Sequence, residues 1–132
     1  MSDEKKVLIV DDEPDAIEIV EAMLSEFETV TTLSANDGDS AIAKAKVNGP
    51  DLIILDVQMP GKSGFDVFSE LKKDVSTTDI PVIMLTGIGE KTGIGFSSKN
   101  MEDYLGDSPD AYIEKPVDAV TLQKTVSKML GL

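Results

Sequence analysis

The sequence contains no cysteine, no histidine and no arginine, and each absence excludes a class of site. Without cysteine the chain can form no disulfide, no thiolate metal site and no thiol-dependent catalytic centre. Without histidine as well, zinc and most transition metals lack their preferred protein ligands. All 12 basic residues are lysine, so the bidentate guanidinium that proteins use on guanine and phosphate is missing too.

Positive charge is scarce overall, and the net charge is -13. A surface this acidic repels phosphate backbones, so we expect no direct binding to nucleic acid. No apolar run approaches the roughly 20 residues that a membrane-spanning helix needs. The acidic start of the sequence also lacks the apolar segment of a secretion signal. We therefore expect a cytoplasmic protein without membrane insertion, in which most carboxylates serve solubility.

The length of 132 residues suffices for one domain with one core. We expect a single domain over residues 1–132, with an ordered core from about residue 5 to about residue 131. No linker or output domain is visible in the composition along the chain.

Short β-branched and apolar runs alternate with segments of helical periodicity. The predicted strands cover residues 6–10, 29–33, 52–55, 81–85 and 111–113. The predicted helices run from Pro14 through Phe27, from 41 to 48, from 64 to about 73, from 97 or 98 to 105, and onward from Asp118, with Leu122, Val126 and Met129 on the inner face. Strands that are apolar on both faces and alternate with helices indicate a parallel sheet. The favoured fold is a flavodoxin-like, doubly wound α/β sheet in the order 2-1-3-4-5 with helices on both faces.

Three aspartates follow strands that are neighbours in this order. Asp11 and Asp12 follow the first strand, and Asp56 follows the third. Two such charges about 4 Å apart repel by about 4 kcal/mol at an effective dielectric near 20. The carboxylates must therefore protonate, bind a cation or lie apart. Mg²⁺, with Mn²⁺ as a possible substitute, is the natural cation because it prefers oxygen ligands.

A carboxylate beside such a metal can also attack phosphorus and form an aspartyl phosphate. The charge that develops on a transferring phosphoryl group needs electrostatic partners. Thr86 follows the fourth strand and Lys115 follows the fifth, so both can supply them.

With these motifs the chain resembles the receiver domain of two-component response regulators over nearly its whole length. The matching residues are Asp11-Asp12, Asp56 with Met59-Pro60 and Gly64 behind it, Thr86-Gly87, and Tyr112 three residues before Lys115-Pro116. Each motif alone is weak, but five in order at the correct strand ends are specific.

The resemblance implies that Asp56 accepts a phosphoryl group from a phosphohistidine on a sensor histidine kinase or phosphotransfer protein. It implies that Asp12 and Asp56 bind the metal directly, that Asp11 binds it through water, and that the backbone carbonyl of Gln58 is a further ligand. Because the chain has no histidine of its own, the donor must be another protein or a small acyl phosphate.

The resemblance further implies that Thr86 and Lys115 hold the phosphoryl group and that the Lys115–Pro116 peptide bond is cis. Tyr112 would be the switch aromatic, turning inward as Thr86 moves toward the phosphate. The output would be an altered surface for a downstream protein partner.

Simpler interpretations exist for each residue taken alone. Asp11 and Asp12 could cap the first helix and interact with its positive end. Tyr112 could serve only in packing, and Lys115 could be a solvated lysine in a turn. The glycines at 87, 89, 93 and 95 match neither nucleotide-binding template, which favours a flexible loop near the site.

Two departures from the family concern the segment after the fourth strand. From Thr86 to Lys115 is 115 − 86 = 29 positions, longer than family members usually show. The resemblance therefore does not identify the protein partner. Ile88 occupies a position associated with phosphate loss, and an apolar side chain there predicts a long-lived phosphoryl form.

Three functions are compatible with these residues. The first is a stand-alone switch, and the second is the receiver portion of a longer transcription regulator. The third is a magnesium-dependent phosphatase or phosphotransferase that uses Asp56 on an outside substrate. Gln58 stands where such enzymes commonly carry an acid/base aspartate, so we expect no enzyme beyond the chain's own phosphoryl transfer.

Overall fold

A computed structural model describes residues 4–87 and 110–132 as five parallel strands and four helices. The strands are β1 Lys5–Val10, β2 Val30–Ala35, β3 Leu52–Asp56, β4 Val82–Thr86 and β5 Ala111–Glu114. The helices are α1 Pro14–Leu24, α2 Gly38–Asn48, α3 Gly64–Lys73 and α4 Ala119–Leu130. The strand order β2-β1-β3-β4-β5 confirms the predicted flavodoxin-like sheet.

The sheet has a separate apolar core on each face. The central strands are fully buried because side chains alternate between the two faces and both faces are covered. One core packs β-strand residues against α2 and α3, through side chains such as Ala41 and Phe68. The other packs them against α1 and α4, through side chains such as Val20 and Leu122. This arrangement leaves the carboxyl ends of the strands at one edge.

Helix starts follow the capping residues in the sequence. Helix α2 begins at Gly38 rather than at the predicted residue 41, because a carboxylate oxygen of Asp37 caps it there by accepting a hydrogen bond from Ser40 N at 2.7 Å. Asp118, from which the last helix was predicted to run, caps α4, with Thr121 N donating to its carboxylate at 2.9 Å.

Several element boundaries differ from the prediction. The second strand begins one residue later and continues to Ala35. The first helix ends at Leu24, and Phe27 lies in the turn that follows, where its N donates to Leu24 O at 3.0 Å. Phe27 still packs partly buried against the core, which explains its helical spacing in the sequence.

Some predictions concern residues outside those that the structure describes. These are the helix expected over 97–105, the loop of glycines after Gly87, and the role of Ile88. Among the described residues, no helix has the length and apolar character needed to cross a membrane.

Candidate functional site

The three predicted aspartates come together at the carboxyl edge of the sheet. Asp11, Asp12 and Asp56 each offer one carboxylate oxygen, and these oxygens lie within 4.8 Å of one another. Asp11 and Asp56 are each only 2% exposed, and Asp12 is half-buried. The backbone N of Asp11 donates to Ala35 O at 3.1 Å, which extends the β1–β2 ladder into the site.

Asp56 is held by the strand that ends in it. The residue pairs with Leu85 across β3 and β4, and Val57 N continues the ladder with a 3.1 Å bond to Leu85 O. Gly64 N donates to Val57 O at 2.8 Å, so the start of α3 packs directly on this strand end. A Cβ atom at Gly64 would lie 2.3 Å from the backbone oxygen of Asp56. Only glycine fits there.

Lys115 lies next to the acidic cluster. Its Nζ is 2.7 Å from Oδ1 of Asp56 and 3.6 Å from Oδ2 of Asp11. Burial alone would lower the pKa of Lys115, but the hydrogen bond to Asp56 and attraction to both carboxylates outweigh it and raise that pKa. The side chain is therefore an ammonium at neutral pH.

A backbone hydrogen bond fixes the position of the Lys115 main chain. Its N donates to Thr86 O at 2.7 Å, joining the end of β5 to the end of β4. The Lys115–Pro116 peptide bond is cis, as the resemblance implied.

Thr86 and Tyr112 occupy the same face of the sheet. Tyr112 pairs with Met84, and Thr86 is two residues beyond Met84 on β4, so their side chains point to one side. Thr86 is 4% exposed, and Tyr112 is partly buried against the core that contains Met84. Tyr112 therefore packs against the core on the same face of the sheet as Thr86.

The donor set suits a hard divalent cation. It consists of carboxylate oxygens, and Gln58 lies two residues after the end of β3 with its side chain exposed. One oxygen of Asp11 already accepts a hydrogen bond from Glu13 N at 3.0 Å. Sequence reasoning included Gly64 only as part of a motif, because its steric role depends on how closely α3 approaches β3.

Comparisons with known proteins agree with this geometry. A family model of the response regulator receiver domain matches residues 7–127. The protein PilH of Pseudomonas aeruginosa is 36% identical over 127 residues, which cover 96% of this chain and 98% of PilH. The response regulator PleD of Caulobacter vibrioides is 38% identical over 118 residues, which cover 89% of this chain but 24% of PleD.

One solved structure with the same fold carries a metal. The receiver domain of the sensor histidine kinase PA1611 from Pseudomonas aeruginosa PAO1 superposes with a TM-score of 0.81 at 23% identity, covering 98% of this chain and 99% of that domain. In that protein a magnesium ion is coordinated in the active-site cleft. From the family match over residues 7–127 and the identity to PilH, we conclude that this chain belongs to the response regulator receiver domain family.

Proposed function

We propose that this chain is a phosphorylation-activated signalling switch in which Asp56 accepts the phosphoryl group. The observation that carries the proposal is the 2.7 Å contact between the Lys115 ammonium and the buried Asp56 carboxylate, inside a cluster of three aspartates. A rigid carboxylate flanked by a cation and further metal ligands matches the requirements of a phosphoryl acceptor. The donor would be a phosphohistidine on a sensor histidine kinase or phosphotransfer protein.

The acidic cluster would hold Mg²⁺, or Mn²⁺ in its place. Asp12 and Asp56 would bind the ion directly, Asp11 would bind it through water, and the backbone carbonyl of Gln58 would complete the protein ligands. When bound, the ion supplies positive charge that offsets the carboxylates and the phosphoryl oxygens. The magnesium ion in the PA1611 receiver domain supports this assignment.

The transfer itself is a single displacement at phosphorus. A carboxylate oxygen of Asp56 forms a bond to phosphorus as the bond from phosphorus to the donor's imidazole nitrogen breaks. The imidazole keeps that electron pair, and Asp56 becomes an acyl phosphate. The Lys115 ammonium and the Thr86 hydroxyl would hold the phosphoryl oxygens.

New contacts to the phosphoryl group can supply enough energy for a switch. Moving a two-state equilibrium from 1:99 to 99:1 requires about 5.5 kcal/mol of differential interaction. Hydrogen bonds to charged groups contribute roughly 1.5–3 kcal/mol each, so two or three such contacts suffice. Thr86 would move toward the phosphate, and Tyr112 would follow along the same face of the sheet. The changed surface would bind or release a downstream protein in the cytoplasm, with no direct contact to nucleic acid.

Intact-mass spectrometry with acetyl phosphate and Mg²⁺ tests the proposal. We expect one phosphate adduct on the wild type, none on Asp56→Asn, and none when a chelator removes the metal. Asp79→Asn, which changes an exposed aspartate away from the cluster, is the matched control and should be modified like the wild type. An adduct that persists in Asp56→Asn would refute the assignment.

The same samples distinguish a switch from an enzyme acting on outside substrates. We expect no sustained phosphate release from generic phosphate esters, because the chain catalyses only its own phosphorylation and dephosphorylation. Continuous turnover that depends on Asp56 would favour the phosphatase interpretation instead.

A further inference from the structure

The connection between β3 and α3, residues 57–63, carries Gln58 and is here called the β3–α3 loop. The loop is anchored at its start, where Gly64 N bonds to Val57 O, and by Met59, which is 7% exposed in the core. Its middle is exposed at Gln58, Pro60 and Gly61. Gly61 has a φ of 76°, in the left-handed region that favours glycine, and the chain turns there just before Lys62.

Lys62 connects this loop to two helices. Its Nζ lies 3.1 Å from Oδ1 of Asp39 in the first turn of α2, and it also bonds to Glu70 of α3. The Lys62 side chain is 28% exposed, low for a lysine on a loop. Hydrogen bonds to Glu70 and then to Asp39 raise the pKa of Lys62 against the opposing effect of burial.

The aliphatic stem of Lys62 also packs on α2. Gly38, the buried first residue of that helix, faces it so closely that a Cβ atom there would lie 2.8 Å from Cβ of Lys62. The same atom would lie 2.9 Å from Cγ2 of Val67 in α3. A glycine at the start of α2 therefore lets the loop and both helices meet at one point.

We propose that Lys62 is a positioning residue for the metal ligands, because it fastens the β3–α3 loop to α2 and so restrains the backbone of Gln58. This inference rests on the proposed function, in which the carbonyl of Gln58 binds the metal. The contact with Asp39 is the important one. Helix α3 is already joined to the loop through Gly64 and the cap at Ser63. The ion pair of Lys62 with Asp39 links the loop to a second helix, α2.

Calorimetric titration of Mg²⁺ tests the inference without any phosphodonor. We expect Lys62→Met and Asp39→Asn each to weaken Mg²⁺ binding by about two- to fivefold, the range that a partly exposed ion pair supports. Glu70→Gln should have a smaller effect than Asp39→Asn. Lys62→Arg should retain affinity near the wild-type value, because it keeps the charge. Lys73→Met, at an exposed lysine of α3, is the matched control and should leave affinity unchanged.

Hydrogen exchange of the metal-free protein gives a second readout. The backbone amides of Gln58, Met59, Gly61 and Lys62 should exchange faster in Lys62→Met and in Asp39→Asn than in the wild type, while the strands stay equally protected. Asp39 is 86% exposed, so its substitution leaves the fold intact and keeps the test valid if Lys62→Met folds poorly.

Unchanged affinity and unchanged exchange in both variants would overturn the inference, and so would a wild type that binds no Mg²⁺. The proposed function fails separately. If the wild type binds Mg²⁺ and the variants weaken it, but Asp56 never acquires phosphate, then Lys62 positions a metal site with another purpose.

Discussion

Lys115 and Asp56 contact each other at 2.7 Å although Asp56 ends β3 and Lys115 follows β5, two strands that are separated by β4. The carboxyl ends of the three strands leave room for the lysine side chain to reach across β4. Asp11 lies 3.6 Å from the same ammonium, so one cation faces two buried carboxylates.

Replacing Lys115 by methionine should slow phosphate incorporation at Asp56 by about 10- to 100-fold. A hydrogen bond to a charged group contributes roughly 1.5–3 kcal/mol, and the variant loses it where the phosphoryl charge develops. Time courses of intact mass at saturating Mg²⁺ measure the effect. Lys128→Met, at an exposed lysine of α4, is the control, and an equal rate in the wild type and Lys115→Met would contradict the assigned role.

Gly64→Ala should destabilise the protein by about 1–3 kcal/mol, as overpacking usually does. The added Cβ would lie 2.3 Å from Asp56 O and 2.7 Å from Val57 Cα, and backbone atoms cannot move aside as a flexible side chain can. Denaturant unfolding measures the loss. Gly49→Ala, where an added Cβ meets open space at a φ of 54°, isolates the cost of backbone strain alone. Phosphate incorporation should fall in Gly64→Ala and stay normal in Gly49→Ala.

Thr86→Val should separate phosphorylation from switching. The substitution keeps the shape of a residue that is 4% exposed but removes the hydroxyl that would move to the phosphate. The sequence has two tyrosines, Tyr104 and Tyr112, so fluorescence in a Tyr104→Phe background reports on Tyr112. We expect a fluorescence change on phosphorylation that Thr86→Val reduces and Thr86→Ser preserves. A fluorescence change in Thr86→Val as large as that of the wild type would show that the Thr86 hydroxyl takes no part in the switch.

Acid stability should depend on Asp74. A hydrogen bond from the Ser76 side chain, a second from the Ser76 backbone and the ion pair with Lys46 lower the pKa of Asp74 from 3.8 to about 2. A folded-state pKa below the unfolded value means that this carboxylate stabilises the fold above pH 3.8, and that the contribution is lost as the pH falls through about 2.

Denaturant unfolding across this acid range checks the prediction. The free energy of unfolding should fall less steeply with decreasing pH in Asp74→Asn than in the wild type. Asp79→Asn is the control and should follow the wild type. Identical slopes for wild type and Asp74→Asn would contradict the assigned hydrogen bonds.

Much of this architecture was predictable because the physical signals are local. The apolar runs of β3 and β4 mark buried strands, and the strand order follows from parallel pairing with short connections. The convergence of Asp11, Asp12 and Asp56 follows in turn, because parallel strands end at one edge of the sheet. Asp118 as a helix cap follows from its side-chain chemistry.

Other features depend on packing that no local pattern encodes. Phe27 has the sequence spacing of a helix residue, but α1 ends at Leu24, and the turn that follows also places the Phe27 side chain against the core. The closeness of Gly64 to Asp56 and of Gly38 to Lys62 depends on how the helices approach the sheet. The strand order placed Lys115 near Asp56, but the direct 2.7 Å contact across β4 depends on how three strand ends are arranged together.

The central claim is that Asp56 carries the phosphoryl group. Borohydride reduces an acyl phosphate on aspartate to homoserine, so treating the phosphorylated protein and sequencing its peptides by mass spectrometry identifies the modified residue. We predict homoserine at position 56 alone, and only when phosphodonor and Mg²⁺ are both present. Reduction at another aspartate, or an unmodified position 56 in a folded protein incubated with donor and metal, would contradict the account.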